Sequence, residues 1–280
     1  MAKLRVLLTG ISFGEQPRWH EDRLWFSDWG TREVIAVDLD GSTEVILEAP
    51  AFPCCVDWLP DGRLLVVSAR DGLILRREPG GSLVTHGDMS GLSNPPAGNE
   101  LVVDSRGNAY VNGGQPLGEG LAAGIVAMVT PDGSARRVAD GLAFPNGMLV
   151  MPDDQTLIVA ESYAKRLAAF EIAADGSLSN RRVWAELGDG VPDGICADAE
   201  NAIWYADVPN RRCVRVREGG AVLQTVELDR GCFACALGGP DRNTLFMVAT
   251  EWSGHQGMFH EPRTGQVLST QVPAPGAGRP

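Results

Sequence analysis

The segment Pro60-Asp-Gly-Arg-Leu-Leu-Val-Val67 joins a tight-turn sequence to an apolar, β-branched run. Asp-Gly favours a turn between antiparallel strands, and the run that follows it favours a buried strand. The same arrangement recurs five more times, beginning at Glu21, Ser105, Pro152, Ala199 and Pro240. Six copies at intervals of about 40–47 residues indicate a repeat fold.

Each copy lies inside a unit of four short strands. An apolar strand precedes the turn, as in Val56-Asp-Trp-Leu59, and two strands joined by a Gly turn complete the unit, as in residues 34–47. A helical solenoid of this period would need helices, and the sequence has no helical pattern. The repeat therefore predicts an all-β fold, a six-bladed β-propeller with four-stranded antiparallel blades.

Closing such a ring requires one blade to contain both ends of the chain. Arg5-Val-Leu-Leu8 stands before Glu15 as Glu44-Val-Ile-Leu47 stands before Cys54, so the N-terminal strand is predicted to be the outermost strand of the last blade. Residues 267–272 compete for that place. We expect residues 1–280 to form a single propeller domain in which the Pro- and Gly-rich residues 273–280 are a loose tail.

The composition of the chain limits the kinds of partner and cellular location that we expect. The chain of 280 residues has a net charge of −12, which disfavours nucleic acid as a partner. It contains no apolar run long enough to span a membrane and no recognisable signal peptide, so we expect a cytoplasmic protein without a membrane partner. The six cysteines are expected to be reduced, and the single Cys232-Phe-Ala-Cys235 motif disfavours a zinc or redox site because it lacks a second pair.

The repeat also defines six equivalent residues at the start of the innermost strand of each blade. Counting six positions back from each turn gives Glu15, Cys54, Asn99, Asn146, Asp193 and Ala234. Innermost strands line the channel of a propeller, so these residues are expected to form a ring at one end of the central axis.

Oxygen donors occupy four of the six ring positions. Such donors on an axis suit a hard divalent cation, which would also offset the repulsion between Glu15 and Asp193. The alternative is that Asn146 and Asp193 only stabilise turns, since each precedes a glycine. With Glu15 in the same register, we favour a metal site.

The loops that follow the second strands are expected to surround this ring. They contribute Trp29, Tyr163 and Trp252 as an apolar wall, although packing between blades is an equal alternative for each. Residues 113–124 form the longest and most Gly-rich of these loops and are a candidate lid. Of the four histidines only His255 is placed to reach the ring, which disfavours a Ser-His-Asp triad.

Five segments carry a resemblance to a known family. They are Gly14-Glu-Gln-Pro-Arg-Trp19, Leu59-Pro-Asp-Gly-Arg-Leu64, Asn99-Glu-Leu-Val-Val-Asp104, Phe144-Pro-Asn-Gly147 and Pro192-Asp-Gly-Ile-Cys196. In these segments the chain resembles the senescence marker protein/gluconolactonase family, which includes regucalcin and bacterial sugar lactonases. The resemblance implies a six-bladed propeller with a metal held by Glu15, Asn146 and Asp193, and a substrate contact at Asn99.

Two departures from the family pattern bear on the substrate. The Asn-Asp pair common in the family is Asn99-Glu100 here, and the arginine that contacts the sugar in regucalcin-like members is replaced by Ala97. The next acidic contact falls near Leu117, although Glu119 is close. A less polar lactone or ester thereby becomes a candidate beside sugar lactones.

The resulting hypothesis is a metal-dependent lactonase, a gluconolactonase-like carboxylic ester hydrolase acting on a small lactone or ester. The metal would polarise the carbonyl and activate water, Asp193 would be the base, and Asn99, Trp29 and Tyr163 would bind substrate. One divalent ion is expected, with Ca²⁺ first and Zn²⁺, Mn²⁺ or Fe²⁺ as alternatives. The alternatives in function are a non-enzymatic calcium-binding or scaffold propeller, and phosphotriester hydrolysis as a side activity.

Overall fold

Six four-stranded antiparallel sheets account for the regular structure of the described residues. The structure is a computed structural model that describes residues 4–51, 54–114, 123–252, 254 and 262–278. Within these residues there is no α-helix, and a single 3-10 turn occupies Ala69–Asp71. No helix in the described part of the chain is long and apolar enough to cross a membrane.

Apart from the first strand, the strands follow one another around the ring in chain order. Those of the first half are β1 (Arg5–Ile11), β2 (Gly14–His20), β3 (Arg23–Asp28), β4 (Glu33–Val37), β5 (Thr43–Glu48), β6 (Val56–Trp58), β7 (Leu64–Ser68), β8 (Leu73–Arg77), β9 (Leu83–Asp88), β10 (Ala97–Val103), β11 (Ala109–Gly113), β12 (Gly124–Val129) and β13 (Ala135–Leu142). Those of the second half are β14 (Pro145–Val150), β15 (Thr156–Glu161), β16 (Arg166–Ile172), β17 (Leu178–Glu186), β18 (Pro192–Ala197), β19 (Ile203–Asp207), β20 (Arg212–Val216), β21 (Val222–Glu227), β22 (Gly231–Gly238), β23 (Thr244–Thr250) and β24 (Gly265–Gln271).

The blades group these strands as the repeat predicts. Blades one to five are β2–β5, β6–β9, β10–β13, β14–β17 and β18–β21, and blade six has the order β1-β24-β23-β22. The N-terminal strand β1 is therefore the outermost strand of the last blade, and β24 is the third strand rather than its competitor. Their antiparallel pairing runs from Arg5 opposite Ser269 to Ile11 opposite Gly265. The predicted six-bladed propeller and its closure are confirmed.

The C-terminal segment differs from the expected loose tail. The backbone N–H of Ala199 donates to the carbonyl of Pro275 at 2.8 Å, and that of Ala277 donates to the carbonyl of Ala197 at 3.1 Å. Ala274 is buried at 2 % exposure, and Asp198 pairs with Gly276 as an isolated bridge. The N–H of Gly276 also donates to the carbonyl of Arg242 in blade six at 2.7 Å, so residues 273–278 pack on blades five and six because their backbone groups find partners there. Residues 279–280 lie outside the described residues.

The six turns that revealed the repeat share a backbone signature. The same position of each turn has a positive φ between 57° and 84°, and its residues are Asp22, Gly62, Gly107, Asp154, Asn201 and Arg242. Glycine, aspartate and asparagine tolerate this conformation best, which explains five of the six residues, and Arg242 is the exception.

The apolar core is divided among the interfaces between blades. Six clusters of buried hydrophobic residues lie one at each junction, and the junction of blades six and one is built around Phe26, Phe246 and Val267. Because every blade buries both faces against its neighbours, the innermost strands are fixed relative to one another.

Two glycines allow the innermost strands to approach closely beside the predicted ring. A Cβ on Gly147 would lie 2.4 Å from the carbonyl oxygen of Asp193, and a Cβ on Gly194 would lie 2.5 Å from the Cβ of Ala234. Both glycines lie within strands, so the sequences Asn146-Gly and Asp193-Gly are not hairpin turns. The alternative that these residues only stabilise turns is therefore disfavoured.

We expect Gly194→Ala to lower the free energy of unfolding by about 2 kcal/mol, because the added methyl group overpacks a contact made of backbone and Cβ atoms. Urea unfolding measures the change. Gly80→Ala is the matched control, since a Cβ there meets no atom within 4 Å, and its stability should change little. Equal effects of the two substitutions would contradict this account.

Candidate metal centre and active site

A single cavity at one end of the axis receives four of the six ring residues. Glu15, Asn99, Asn146 and Asp193 all line it, although they come from four different blades. The structure thus brings together every predicted oxygen donor. The other two ring residues, Cys54 and Ala234, are buried at 0 % and 1 % exposure.

The Cys54 thiol is held out of the donor set by its surroundings. It belongs to the apolar cluster between blades one and two. Burial raises the pKa of this thiol to about 11, so it stays neutral. A neutral thiol is a poor ligand for a hard cation, so the oxygen donors of the ring are the better candidates for a metal site.

The four oxygen-donor residues of the ring form the floor of the cavity. A chain of hydrogen bonds connects the amide side chains on this floor. Asn99 Nδ2 donates to Asn146 Oδ1 at 3.2 Å, and Asn146 Nδ2 donates to Ser162 Oγ at 3.3 Å. Ser162 Oγ in turn donates to the carbonyl of Pro192 at 2.6 Å. Asn112 Nδ2 donates to the carbonyl of Asn146. These bonds fix the orientation of the Asn146 amide, and Ser162 is a site residue that sequence reasoning missed.

The surroundings of the two carboxylates in the ring disfavour their charged forms. Burial, followed by the charges of Asp193 and Glu100, raises the pKa of Glu15 well above its usual value. Burial, followed by the charge of Glu100, does the same for the pKa of Asp193. Asp193 Oδ1 is buried and has no hydrogen-bond partner in the described part of the chain. Among the described residues no basic side chain forms an ion pair with either carboxylate.

This donor set fits a divalent cation. A buried, unsatisfied carboxylate oxygen is costly unless a positive charge accompanies it, and a cation would satisfy Asp193 Oδ1 and reduce the repulsion with Glu15. Within the described residues no group of three or more His, Cys, Asp or Glu side chains could hold a metal. The amide oxygens would therefore have to complete the ligand set, which favours a cation that accepts neutral oxygen donors.

A buried ion pair lies deeper on the axis. Arg18 Nη2 is 3.1 Å from Glu100 Oε1, with the two side chains 4 % and 5 % exposed. Nη2 also donates to the carbonyl of Leu101 at 3.0 Å, and Nη1 donates to the carbonyl of Pro17 at 3.2 Å. Burial raises the pKa of Glu100 to about 7, although the charge of Arg18 opposes this shift. The departure from the family at Glu100 is thus a buried side chain paired with Arg18.

Two buried carboxylates hold the loops at the rim of the cavity. Asp28 accepts hydrogen bonds from the backbone N–H groups of Ser12, Phe13 and Gly30 at 2.9–3.0 Å. Glu161 accepts one from the N–H of Ala143 at 2.9 Å and is paired with two arginines. Both carboxylates end the second strand of a blade. They position the loops on which the aromatic residues of the cavity lie.

The predicted substrate-side aromatics reach the cavity. Trp29, Tyr163 and Trp252 all line it, and Trp29 Nε1 donates to the carbonyl of Cys54 at 2.6 Å. Sequence reasoning missed Phe13, Phe144 and Phe233, which line the cavity with them. The lid candidate falls largely on residues 115–122, and these lie outside the described residues, as does His255. His20 lines a separate pocket with Asp57 and stacks on Trp58 at 3.8 Å.

Free thiols gather between blades five and six. All six cysteines are unpaired, and Cys196 Sγ lies 3.7 Å from Cys235 Sγ. Cys213 and Cys232 are buried beside them in the same apolar cluster. Five of the six cysteines are buried, and Cys196 is half-buried.

Fold and site together define a class: a six-bladed propeller whose axial cavity ends in a ring of carboxylate and amide oxygens. The family model described as SMP-30/gluconolactonase/LRE-like region matches residues 13–251. The chain belongs to this family, which confirms the resemblance carried by its five sequence segments.

Individual relatives give the range of the family. A 6-deoxy-6-sulfogluconolactonase of Pseudomonas putida is 26% identical over 95% of this chain and 94% of its own length. Regucalcin of Xenopus laevis is 32% identical over 51% of this chain, and the chain spans about half of that protein's length (50%). The solved structure of a gluconolactonase from Xanthomonas campestris superimposes with a TM-score of 0.76 at 26% identity, covering 97% of this chain and 90% of that one.

Proposed function

We propose that this protein is a metal-dependent hydrolase that opens a lactone. The observation that carries the proposal is the cavity floor, where four oxygen donors meet: Glu15, Asn99, Asn146 and Asp193. There Asp193 Oδ1 is buried without a hydrogen-bond partner among the residues that the structure describes. Membership of the gluconolactonase-like family and the lactonase names of two relatives support the reaction class.

In this proposal Glu15, Asn146 and Asp193 hold one divalent cation. When bound, such a cation supplies a Lewis acid for the ester carbonyl and lowers the pKa of water. Oxygen-only donors favour Ca²⁺, with Mn²⁺, Zn²⁺ and Fe²⁺ as alternatives that accept a low ligand count.

In this proposal the side chains of the cavity floor have separate roles in the reaction. Asp193 accepts a proton from the attacking water at a carboxylate oxygen while the water oxygen adds to the carbonyl carbon. The ring C–O bond breaks, and the same proton passes to the leaving alkoxide, so that one water and one lactone give one hydroxy acid. Asn99, whose Nδ2 lies 3.2 Å from Asn146 Oδ1, orients the lactone beside the carboxylate. The hydrogen bond from Asn146 to Ser162 keeps the donor oxygens in place.

A pH-stat assay over γ- and δ-lactones tests the reaction class. Metal-loaded protein is expected to release one acid equivalent for each lactone opened, at a rate well above the spontaneous one. A phosphotriester in the same assay measures the possible side activity. A protein that binds one cation tightly but turns over no lactone would instead be a cation-binding propeller, and the hydrolase proposal would be wrong.

We also propose that the protein works in the cytoplasm. The support is the six free cysteines, four of which cluster within one interface between blades, since an oxidising compartment would favour disulfides.

A further inference from the structure

We propose that the lactone opened at this site carries an alkyl or aryl substituent and is not a polyhydroxylated sugar lactone. The inference rests on the proposed hydrolase function, because it names the substrate class of the same cavity. Three features carry it: two aromatic walls, the small number of unengaged polar side chains among the described lining residues, and the space above the floor.

The first aromatic wall comes from blades one and six. Phe13 and Phe233 have ring centroids 4.6 Å apart in an edge-to-face arrangement, and Trp252 lies 5.3 Å from Phe233. Trp29 extends the wall at 5.7 Å from Phe13. Its indole N–H is bonded to the carbonyl of Cys54, so the ring offers carbon surface to the cavity. Aromatic clusters of this kind bind apolar groups through their area and shape.

The second wall stands on blade four. Phe144 and Tyr163 are stacked with centroids 4.5 Å apart and planes at 23°. Phe144 has a φ of 59°, which is rare for a bulky residue, and its carbonyl accepts a hydrogen bond from the N–H of Ser162 at 3.1 Å. The fold thus holds an apolar ring beside the floor in a backbone conformation that such a residue seldom adopts.

The polar side chains of the floor are already engaged with one another. Apart from Glu15, Asp193 and the aromatic residues, the polar side chains of the described lining are Asn99, Asn146, Ser162 and Arg70. The first three form one hydrogen-bonded chain, and Arg70 is exposed at the rim. Each hydroxyl of a sugar lactone that is buried without a partner would cost binding energy.

The position before the substrate-side asparagine adds no polar group. Ala97 is fully buried, and Gly98 lines the cavity without a side chain. The neighbouring Pro95 and Pro96 line it as well. These four residues therefore offer no side-chain hydrogen-bond donor to a polyol.

The cavity has room for a ring with a substituent. Its volume is about 640 Å³, within the usual range for small-molecule sites. The lactone carbonyl belongs at the floor, close to Asp193 and Asn99, and a substituent on the ring would extend between the two aromatic walls.

Three lactones of equal ring size test the proposal with the metal-loaded protein. They are δ-valerolactone, which has no substituent, δ-decalactone, which has a pentyl chain, and glucono-δ-lactone. Each kcat/KM is divided by the rate constant for alkaline hydrolysis of the same lactone, which removes differences in intrinsic reactivity. We expect δ-decalactone to exceed both others by about tenfold or more, since a few methylene groups in an apolar pocket give discrimination of this size. A normalised value for glucono-δ-lactone equal to or above that of δ-decalactone would overturn the proposal.

Variants of the two aromatic walls test whether the wall residues cause the preference for δ-decalactone. Tyr163→Ser and Trp252→Ser change side chains that are 48 % and 36 % exposed, so the fold should tolerate them. Each is expected to reduce the ratio of δ-decalactone to δ-valerolactone several-fold, by about the discrimination that one apolar contact supplies. Val222→Ser is the control, because Val222 is 61 % exposed on an outer strand, and its ratio should equal that of the wild type. Wall variants that keep the wild-type ratio would also overturn the proposal.

A binding measurement separates this inference from the hydrolase proposal. Lactams corresponding to δ-decalactone and glucono-δ-lactone are titrated while tryptophan fluorescence is followed. Tighter binding of the pentyl lactam by about tenfold, without hydrolysis of any lactone, would leave the apolar preference standing and remove the hydrolase. Hydrolysis with a preference for glucono-δ-lactone would support the hydrolase function and overturn the apolar preference. The absence of both hydrolysis and preferential binding would overturn both proposals.

Discussion

Replacing Asp193 by alanine is expected to lower kcat/KM for lactone hydrolysis by about 10³-fold or more and to abolish binding of the metal. The carboxylate is proposed to act both as a ligand and as the base, and loss of a positioned base alone costs about 10²–10⁴-fold. Its Oδ1 is a buried oxygen without a hydrogen-bond partner among the described residues, so it is available to a metal ion. Steady-state kinetics and metal analysis of the purified variant measure the two effects.

Two further variants make this result interpretable. Asp193→Asn keeps the shape of the side chain and should unfold at nearly the wild-type temperature in the presence of a chelator, which separates loss of function from loss of fold. Asp189→Asn removes a carboxylate four residues away that is 76 % exposed and paired with Arg212, and it should retain nearly full activity. Wild-type hydrolysis by Asp193→Ala would exclude the proposed role of this residue.

Breaking the buried pair of Arg18 and Glu100 is expected to have the largest effect on stability. The Glu100 side chain is only 5 % exposed, and Arg18→Met leaves its buried carboxylate without an ion-pair partner. Glu100→Gln likewise leaves the buried guanidinium of Arg18 without a charged partner. Removing one member of a buried ion pair costs about 3–5 kcal/mol. Arg18→Met/Glu100→Gln should recover part of this loss, because neither charge remains buried. Urea unfolding of the two single variants and the double variant, all with chelator, gives the coupling energy.

The same variants should change metal affinity in opposite directions. The charge of Glu100 acts on both Glu15 and Asp193. Glu100→Gln removes a negative charge and leaves a positive one near the predicted metal, so affinity should fall, whereas Arg18→Met should raise it. Exposed pairs such as Arg182 with Glu218 provide the control, since their removal should alter neither property. Small additive effects of the two single variants would show that the pair contributes little.

The repeat in the sequence predicts the fold because each blade reuses one turn geometry. Asp22, Gly62 and Asn201 take the same backbone conformation in three blades, and this conformation favours Gly, Asp or Asn at that position of the turn. The ring residues are predictable for the same reason, since a fixed count from each turn reaches the same point on each innermost strand. This is why Glu15 and Asp193 could be placed together although 178 positions separate their residue numbers.

The remaining features of the site depend on contacts that no count from the turn supplies. Arg18 and Glu100 meet beside the axis from the innermost strands of blades one and three, which blade two separates, and the sequence shows only two charged residues in different strands. The C-terminal tail packs through backbone hydrogen bonds, which leave no pattern in the side chains. Asp28, Glu161 and Asp207 do share a register at the end of second strands, so a count from the turn along the other strand could have found these loop-positioning carboxylates.

The most direct test of a metal-dependent active site is a titration of chelator-treated protein with Ca²⁺, and in parallel with Mn²⁺ and Zn²⁺, followed by bound metal and by hydrolysis of δ-lactones in the same samples. We predict that metal-free protein is inactive and that, for at least one of these metals, activity and bound metal rise together to a plateau at one ion per chain. Asp193→Ala should show neither rise. Full hydrolysis by protein from which all metal has been removed would contradict the account.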